Sequence, residues 1–285
     1  MLKMTHHVIS RNCLTQRFFI AALLLSASLG APSTMRTAFA QGHQGQAPLS
    51  PKDAALIDLT GYWISIVDED WRWRMLTPKK GDYASVPLNA EGKRVADTWD
   101  PVKDEREGNQ CRAYGAAAIM RMPERVHITW ANEDTLRIDT DAGMQARLFH
   151  FDGSKSRGGV PQWQGDSVAT WEKMSQRKYT ATMGGPVPGK GGTLKVVTTH
   201  MRPGYLRKNG VPYSGNAVLT EYYDRFDYKD DSYLLVTSVI DDPQYLTTAF
   251  VTSSQFKREP DASKWDPSPC RPLWPRPPAG VVSSP

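Results

Sequence analysis

Cysteine and recognisable catalytic motifs are both scarce in this sequence of 285 residues. It contains three cysteines and no C-x-x-C pair, so it lacks the usual signature of a thiol redox enzyme. It also lacks the H-E-x-x-H pattern of zinc proteases and the G-x-G-x-x-G pattern of dinucleotide-binding domains. The sequence therefore carries no strong signature of one reaction, and it says more about architecture than about chemistry.

The sequence also lacks an apolar run long enough to span a bilayer. Its main apolar run covers residues 18–29, whereas a helix that spans a bilayer needs about 20 apolar residues. Basic residues precede this run, and the small residues at 38–40 (AFA) stand before Gln41 as in a signal-peptidase site. We therefore predict a signal peptide at 1–40, a periplasmic or secreted bacterial protein, and no transmembrane segment after its removal.

An excess of positive charge outside this leader is also lacking. The formal net charge is +5, but residues 1–40 contain four basic residues and no acidic ones. The remainder has 31 basic against 30 acidic residues, which is close to neutral. Such a balance gives no reason to expect nucleic acid as a partner.

Removal of the leader also removes Cys13 and leaves two cysteines, Cys111 and Cys270. An even number of cysteines in an oxidising compartment favours a disulfide, so we predict this pair, with two separate thiols as the alternative. Around the folded part, residues 41–57 read as a flexible linker and 261–285 as a proline-rich tail. The sequence thus predicts one domain at 58–260.

Short runs rich in β-branched and aromatic residues dominate this domain. The run 125–131 (RVHITWA) puts Val126, Ile128 and Trp130 on one face, and turn residues separate it from similar runs at 136–139 and 144–151. This pattern predicts an antiparallel meander. The same pattern predicts strands near 60–67, 71–76, 115–121, 167–173, 177–183, 193–201, 216–226, 231–241 and 246–258.

One segment has helical spacing instead. Asn89 can cap a helix over 90–99, where apolar residues recur on one side. About a dozen strands and one short helix predict an all-β protein. A closed or nearly closed antiparallel barrel is favoured because closure removes exposed sheet edges.

Four sequence blocks together suggest a known family. The opening block, 58–63 (DLTGYW), has Gly61 and Trp63 in the G-x-W spacing of the lipocalin superfamily. The other three blocks are 163–168, 219–225 and 240–243. The set resembles a large family of exported bacterial proteins of uncharacterised function with a lipocalin-like, calycin-type β-barrel. The resemblance implies fold and compartment over about 58–270 and supplies no catalytic residues.

A barrel of about eight to ten strands can enclose one small ligand. The stretch 70–75 (DWRWRM) alternates tryptophans with arginines. Either the tryptophans fill the core and the arginines face solvent, or both border one cavity that suits an apolar ligand with an acid group. The candidate ligand-binding residues are Trp63, Trp71, Trp73, Arg74 and Tyr222.

A second set of polar residues suits proton transfer. Glu221, Tyr223 and Arg225 share one face of a predicted strand, and His150 and His200 lie on other strands. These five residues are the candidate catalytic groups; the alternative is a ladder of polar pairs on the solvent face. The histidines lack a local metal-binding spacing, so we expect no metal site and no organic cofactor.

Three functions remain open at this point. The favoured one is a binding protein that takes a small apolar or aromatic, possibly acidic, molecule into its cavity. The second is a cofactor-free lyase, isomerase or hydrolase that uses the acid–base groups in the same cavity. The third is an envelope or assembly protein that acts through its outer surface.

Overall fold

A computed structural model describes residues 48–153, 159–173 and 191–271 of the chain. Nine of its strands form a closed barrel, so the all-β fold is confirmed. The strands are β1 (Gly61–Ile66), β2 (Arg125–Asn132), β3 (Thr135–Thr140), β4 (Ala142–Gly143), β5 (Ala146–His150), β6 (Asp166–Lys173), β7 (Gly192–Thr199), β8 (Gly204–Arg207), β9 (Val211–Tyr213), β10 (Val218–Tyr228), β11 (Asp231–Asp241), β12 (Phe250–Glu259) and β13 (Ser268–Pro269). The predicted strand near 177–183 lies outside the described residues.

The barrel runs in the order β1-β12-β11-β10-β7-β6-β5-β3-β2, and β2 pairs back to β1. The predicted meander is confirmed, because β2, β3 and β5 follow one another as antiparallel neighbours. One contact differs from the prediction: β5 and β6 run parallel, through Phe149↔Ser167 and His150↔Val168. The sheet is therefore mixed, and an antiparallel barrel throughout is a wrong prediction.

Side chains that point inward fill the middle of the barrel. Ten large apolar side chains on the inner face each have 0% of their surface accessible, so no water-sized void borders them. Among the described residues, the middle of the barrel is thus packed and is not the ligand cavity that the sequence analysis expects. These ten side chains are Trp63, Val126, Ile128, Ile138, Phe149, Leu194, Val196, Leu234, Val236 and Phe256.

Four short helices lie outside the sheet, where the sequence predicts one. They are α1 (Trp71–Met75), α2 (Ala90–Ala96), α3 (Pro101–Arg106) and α4 (Ala116–Ile119), and a 3-10 helix covers Gln110–Tyr114. The predicted helix is α2, and its cap is confirmed because the Asn89 side chain accepts a hydrogen bond from the Gly92 N–H at 2.8 Å.

Two predicted strands are helices instead. At 71–76, the alternation of aromatic and basic residues is too short to separate a period of two from a helical turn. Asp70 has φ 52°, in the left-handed region, and turns the chain directly before α1. At 115–121 three consecutive alanines, the residues with the highest helix propensity, form α4.

A disulfide joins Cys111 of the 3-10 helix to Cys270, with the two Cα atoms 5.2 Å apart, so the predicted pair is confirmed. Next to it, β13 pairs in parallel with β4. The described part of the predicted tail is thus attached to the barrel, and Trp265 contacts the ring of Tyr62 edge-on at 5.8 Å.

Candidate anion-binding cavity

A small cavity lies among α1, the residues after α4, and the β8–β9 hairpin. It has a volume of about 20 Å³ and is lined by Trp73, Arg74, Arg121, Arg207 and Lys208 together with apolar neighbours. We call it the arginine cavity. Its basic residues come from three distant segments of the chain, and the fold brings their side chains together.

Helix α1 directs Arg74 into the protein. The guanidinium of Arg74 is only 2% exposed, although arginine is usually a surface residue. Its Nε donates to the carbonyl oxygen of Arg121 at 2.9 Å, and its Nη2 donates to Oγ of Ser65 on β1 at 3.2 Å. These bonds fix the guanidinium at the end of the barrel.

The carboxylate of Asp70 is close to both of the other arginines, Arg121 and Arg207. Nη2 of Arg121 donates to Oδ2 of Asp70 at 2.7 Å, and Nη2 of Arg207 lies 3.9 Å from the same oxygen. Nη1 of Arg207 donates to the Ala84 carbonyl at 2.5 Å. Asp70 therefore lies within 3.9 Å of both Arg121 and Arg207, whereas Glu69, Asp68 and Asp82 act on the arginines of the cavity from farther away.

Several nitrogens of these arginines have no acceptor. Within the described residues, Nη1 of Arg74, Nη1 of Arg121, and both Nε and Nη2 of Arg207 are buried without a hydrogen-bond partner. Leaving a buried donor unpaired costs about 1–3 kcal/mol, and more when the group is charged. Four such nitrogens belong to three of the residues that line the cavity.

Burial is the main influence on the pKa values of the basic side chains that line the cavity. Burial, together with the neighbouring Arg121, lowers the pKa of Arg74 to about 10. Burial also lowers the pKa of Arg207 to about 10, and burial with the nearby Arg74 lowers that of Lys208 to about 8. An anion in the cavity would relieve the repulsion that contributes to these shifts.

Trp73 supplies an aromatic wall. The guanidinium carbon of Arg207 lies 4.8 Å from the centroid of its ring, within the range of a cation–π contact. The indole Nε1 donates to Oδ1 of Asp82 at 3.2 Å, which holds the ring in place. An apolar or aromatic group would therefore meet an apolar surface next to the cations.

A second cavity of about 20 Å³ adjoins the first, and Lys208 lines both. Its polar groups include Asp104, Arg112 and Tyr205. Asp104 accepts hydrogen bonds from the Tyr205 hydroxyl at 2.7 Å and from Nη1 of Arg112 at 2.7 Å. Burial and the bond to Asp104 raise the pKa of Tyr205, so this phenol stays protonated near neutral pH.

Of the five predicted ligand-binding residues, Trp73 and Arg74 line the arginine cavity, and three lie elsewhere. Trp63 fills the barrel, where its Nε1 donates to the Leu59 carbonyl at 3.0 Å. Trp71 is 61% exposed on α1. Tyr222 lies on the outer face of β10 with Nζ of Lys195 5.8 Å from its ring centroid.

Among the predicted catalytic residues, Glu221 and Tyr223 do share one face of β10, and this face points into the barrel. There they meet Arg147, whose Nη2 lies 2.5 Å from Oε2 of Glu221 and whose Nη1 donates to the Tyr223 hydroxyl at 3.2 Å. Arg225 does not join them, because its Nη1 donates to the Asp58 carbonyl at 2.9 Å near the rim. Glu221 and Arg147 are both 0% exposed, so this pair lies beyond the reach of solvent.

The two predicted histidines lie on the outside of the barrel. His150 and His200 border a groove of about 490 Å³ beside the parallel pair of β5 and β6. Nδ1 of His150 is 3.2 Å from Oγ1 of Thr135, and Nδ1 of His200 is 3.7 Å from Oδ2 of Asp166. The five predicted catalytic residues thus occupy three separate places and form no common acid–base site.

The sequence analysis missed Arg121, Arg207, Lys208 and Arg147. Only Arg147 carried a signal: it alternates with Ala146 and Leu148 and shares the inward face of β5 with Phe149. The other three lie just after a short helix or next to a hairpin, where no periodic pattern indicates the direction of a side chain.

Within the described residues, no group of three or more histidine, cysteine and acidic side chains is placed to hold a metal ion. No helix in this part of the chain has both the length and the apolar character to cross a bilayer. Comparison with protein-family models, curated proteins and solved structures finds no match to the chain.

Proposed function

We propose that this protein binds a small organic acid, with the carboxylate of the ligand in the arginine cavity. The observation that carries the proposal is that three arginines line one cavity and hold between them four buried guanidinium nitrogens without partners. The planar fork of a guanidinium matches the two oxygens of a carboxylate, and such charge-assisted bonds are about twice as strong as neutral ones.

The size of the cavity limits the ligand. A space that admits about one water-sized group accommodates the carboxylate head of an acid and not its whole body. The rest of the ligand would extend past Trp73 or towards the second cavity, where Trp99 and Tyr205 offer further aromatic surface. An acid with a short apolar or aromatic body fits this arrangement best.

A titration tests the proposal. We expect phenylacetate to bind the purified protein and the Arg207→Met variant to bind it about 10- to 100-fold more weakly, since a hydrogen bond to a charged group contributes about 1.5–3 kcal/mol. Isothermal titration calorimetry measures both dissociation constants. Neutral phenylacetamide should not bind measurably.

Arg72→Met is the matched control. Arg72 also lies near the Trp73 ring, at 5.3 Å, but its side chain is 62% exposed outside the cavity. Removing this charge should change the affinity for phenylacetate by less than about threefold, because exposed charges are screened by solvent. Equal weakening by both substitutions, or no binding of phenylacetate to the unaltered protein, would refute acid binding at this cavity.

We further propose that the protein is exported and that its barrel is of the lipocalin-like type. The disulfide between Cys111 and Cys270 supports an oxidising compartment, and the closed nine-stranded barrel opening with Gly61 and Trp63 supports the fold type. Expression of the full chain in a bacterium should yield a periplasmic product that begins at Gln41 by N-terminal sequencing. A cytoplasmic product that keeps residues 1–40 would contradict export.

A further inference from the structure

Lys208 stands at the boundary between the two small cavities and lines both of them. Its ammonium nitrogen is fixed, because Nζ donates a hydrogen bond to the backbone carbonyl of Arg74. Lysine in proteins is mostly exposed and mobile, so a half-buried lysine held between two cavities is unusual. The hydrogen bond to Arg74 connects the β8–β9 hairpin to α1, and it also holds an amine at the boundary of the two cavities.

The groups around Lys208 are mainly basic. On the side of the arginine cavity lie Arg74 of α1, Arg121 after α4, and Arg207 of β8, with Asp70 as the nearest acidic group of this cluster. Burial and the charge of Arg74 lower the pKa of Lys208 to about 8. A substantial fraction of the amine is therefore uncharged at mildly alkaline pH.

On the side of the second cavity, the polar groups are already bonded to one another. Asp104 of α3 accepts hydrogen bonds from Arg112 of the 3-10 helix and from Tyr205 of β8. The carboxylate of Asp104 is thus occupied by Arg112 and Tyr205. A desolvated lysine beside other cations is the arrangement that makes an amine nucleophilic.

We propose that Lys208 forms an imine with the carbonyl group of a 2-oxo acid whose carboxylate lies in the arginine cavity. This inference rests on the proposed function, because the arginine cavity must hold the carboxylate. In a 2-oxo acid the carbonyl carbon is bonded directly to the carboxylate carbon. Lys208 borders the same cavity as the arginines, so the carbonyl carbon is presented to its amine, and the rest of the molecule enters the second cavity.

The step balances without an oxidant or a reductant. The lone pair of the uncharged Nζ forms a bond to the carbonyl carbon, and the electron pair of the C=O bond moves to oxygen, which takes a proton. The oxygen then leaves as water while the C=N bond forms, so the two protons of the amine leave with the oxygen. The phenol of Tyr205, which lines the second cavity and is protonated near neutral pH, relays a proton: it donates to the departing oxygen and takes a proton back from the amine.

Reductive trapping tests the inference. The purified protein is incubated with pyruvate and cyanoborohydride, and the modified lysines are identified by peptide mass spectrometry. We expect Lys208 to be labelled on the order of 10- to 100-fold faster than an exposed lysine such as Lys93, because a larger fraction of its amine is uncharged. The rate of labelling should rise as the pH increases through about 8. Lactate, which has a hydroxyl in place of the ketone, should leave Lys208 unlabelled and protect it from pyruvate.

Three variants make the outcome specific. Lys208→Arg should abolish the fast labelling, because a guanidinium group does not form an imine under these conditions. Arg207→Met should slow labelling of Lys208 by pyruvate about 10-fold or more but not its labelling by acetone, which has no carboxylate. In the Arg72→Met variant, pyruvate should label Lys208 at the same rate as in the unaltered protein.

The results separate this inference from the proposed function. If phenylacetate binds and pyruvate labels Lys208 no faster than Lys93, the imine is refuted while acid binding stands. If neither acid binds and Lys208 is not labelled, both proposals fail together. If Lys208 is labelled equally fast by pyruvate and acetone, the amine is reactive but the arginine cavity does not select a 2-oxo acid, and the inference is overturned.

Discussion

Replacing Glu221 by glutamine is expected to lower the free energy of unfolding by about 3–5 kcal/mol, because the substitution leaves the charge of Arg147 buried and unpaired. The two side chains form a bidentate ion pair inside the barrel, with Nη1–Oε1 at 3.0 Å and Nη2–Oε2 at 2.5 Å. Both residues have no accessible surface, so water cannot replace the lost partner. Urea unfolding followed by circular dichroism measures the change.

The double variant Arg147→Met/Glu221→Gln provides the decisive comparison. With both charges removed, the interior holds a methionine and an amide. In the unaltered protein Tyr223 and Thr198 both accept hydrogen bonds from Arg147, and in the double variant they can bond to the amide instead. We expect it to be more stable than the single Glu221→Gln variant by at least about 2 kcal/mol, because a buried ion pair replaced as a unit is often close to neutral. A double variant no more stable than the single one would show that the charge of Arg147 is not what destabilises the single variant.

Arg225→Met is the matched control on the same strand. Arg225 lies near the rim, and its ion pair with Asp227 at 3.2 Å is exposed on the aspartate side. Its loss should lower the free energy of unfolding by about 1 kcal/mol or less. A decrease in the free energy of unfolding as large as that of Glu221→Gln would mean that burial is not what makes the Arg147–Glu221 pair stabilising.

Removing the disulfide is the other change with a large expected effect. The double variant Cys111→Ser/Cys270→Ser should lower the free energy of unfolding by about 5 kcal/mol in the chain-entropy model, because the bond closes a loop with a sequence separation of 159. The comparison is made by urea unfolding of the oxidised protein, the reduced protein and the variant.

The reduced protein and the double serine variant should unfold at nearly the same urea concentration. The hydrogen bond from the Ser268 N–H to the Asp141 carbonyl and the pairing of β13 with β4 remain available to both. Since the effect acts mainly on the unfolded chain, the tryptophan bands in the near-ultraviolet circular dichroism of the folded variant should stay unchanged. A variant as stable as the oxidised protein would contradict a stabilising role for this bond.

The barrel was predictable where side chains alternate over long strands. In β7 and over most of β11, residues at every second position are buried, and a period of two over about eight residues distinguishes such strands from helices. The stretch at 71–75 is too short for that distinction. The parallel pair of β5 and β6 was not predictable, since local patterns do not show which strand becomes a neighbour after a long connection.

The candidate site was predictable in part. The sequence suggested an aromatic wall and an arginine at 70–75, and Trp73 and Arg74 do line one cavity, although on a helix and at the end of the barrel. The partners Arg121 and Arg207 come from segments far away in sequence, so only the tertiary fold brings them to Arg74. The packing of the barrel interior also depends on side-chain volumes across strands, which a single-strand pattern does not contain.

A crystal structure of the protein soaked with 4-bromophenylacetate tests the central claim most directly, because the anomalous signal of bromine locates the ligand. The account predicts a carboxylate within about 3 Å of the guanidinium nitrogens of Arg74 and Arg207, the distance of a charge-assisted hydrogen bond. The bromine should lie beyond Trp73, and both should be missing in crystals of Arg207→Met soaked in the same way. A ligand bound only in the groove of His150 and His200, or an arginine cavity that holds ordered water and no acid, would contradict it.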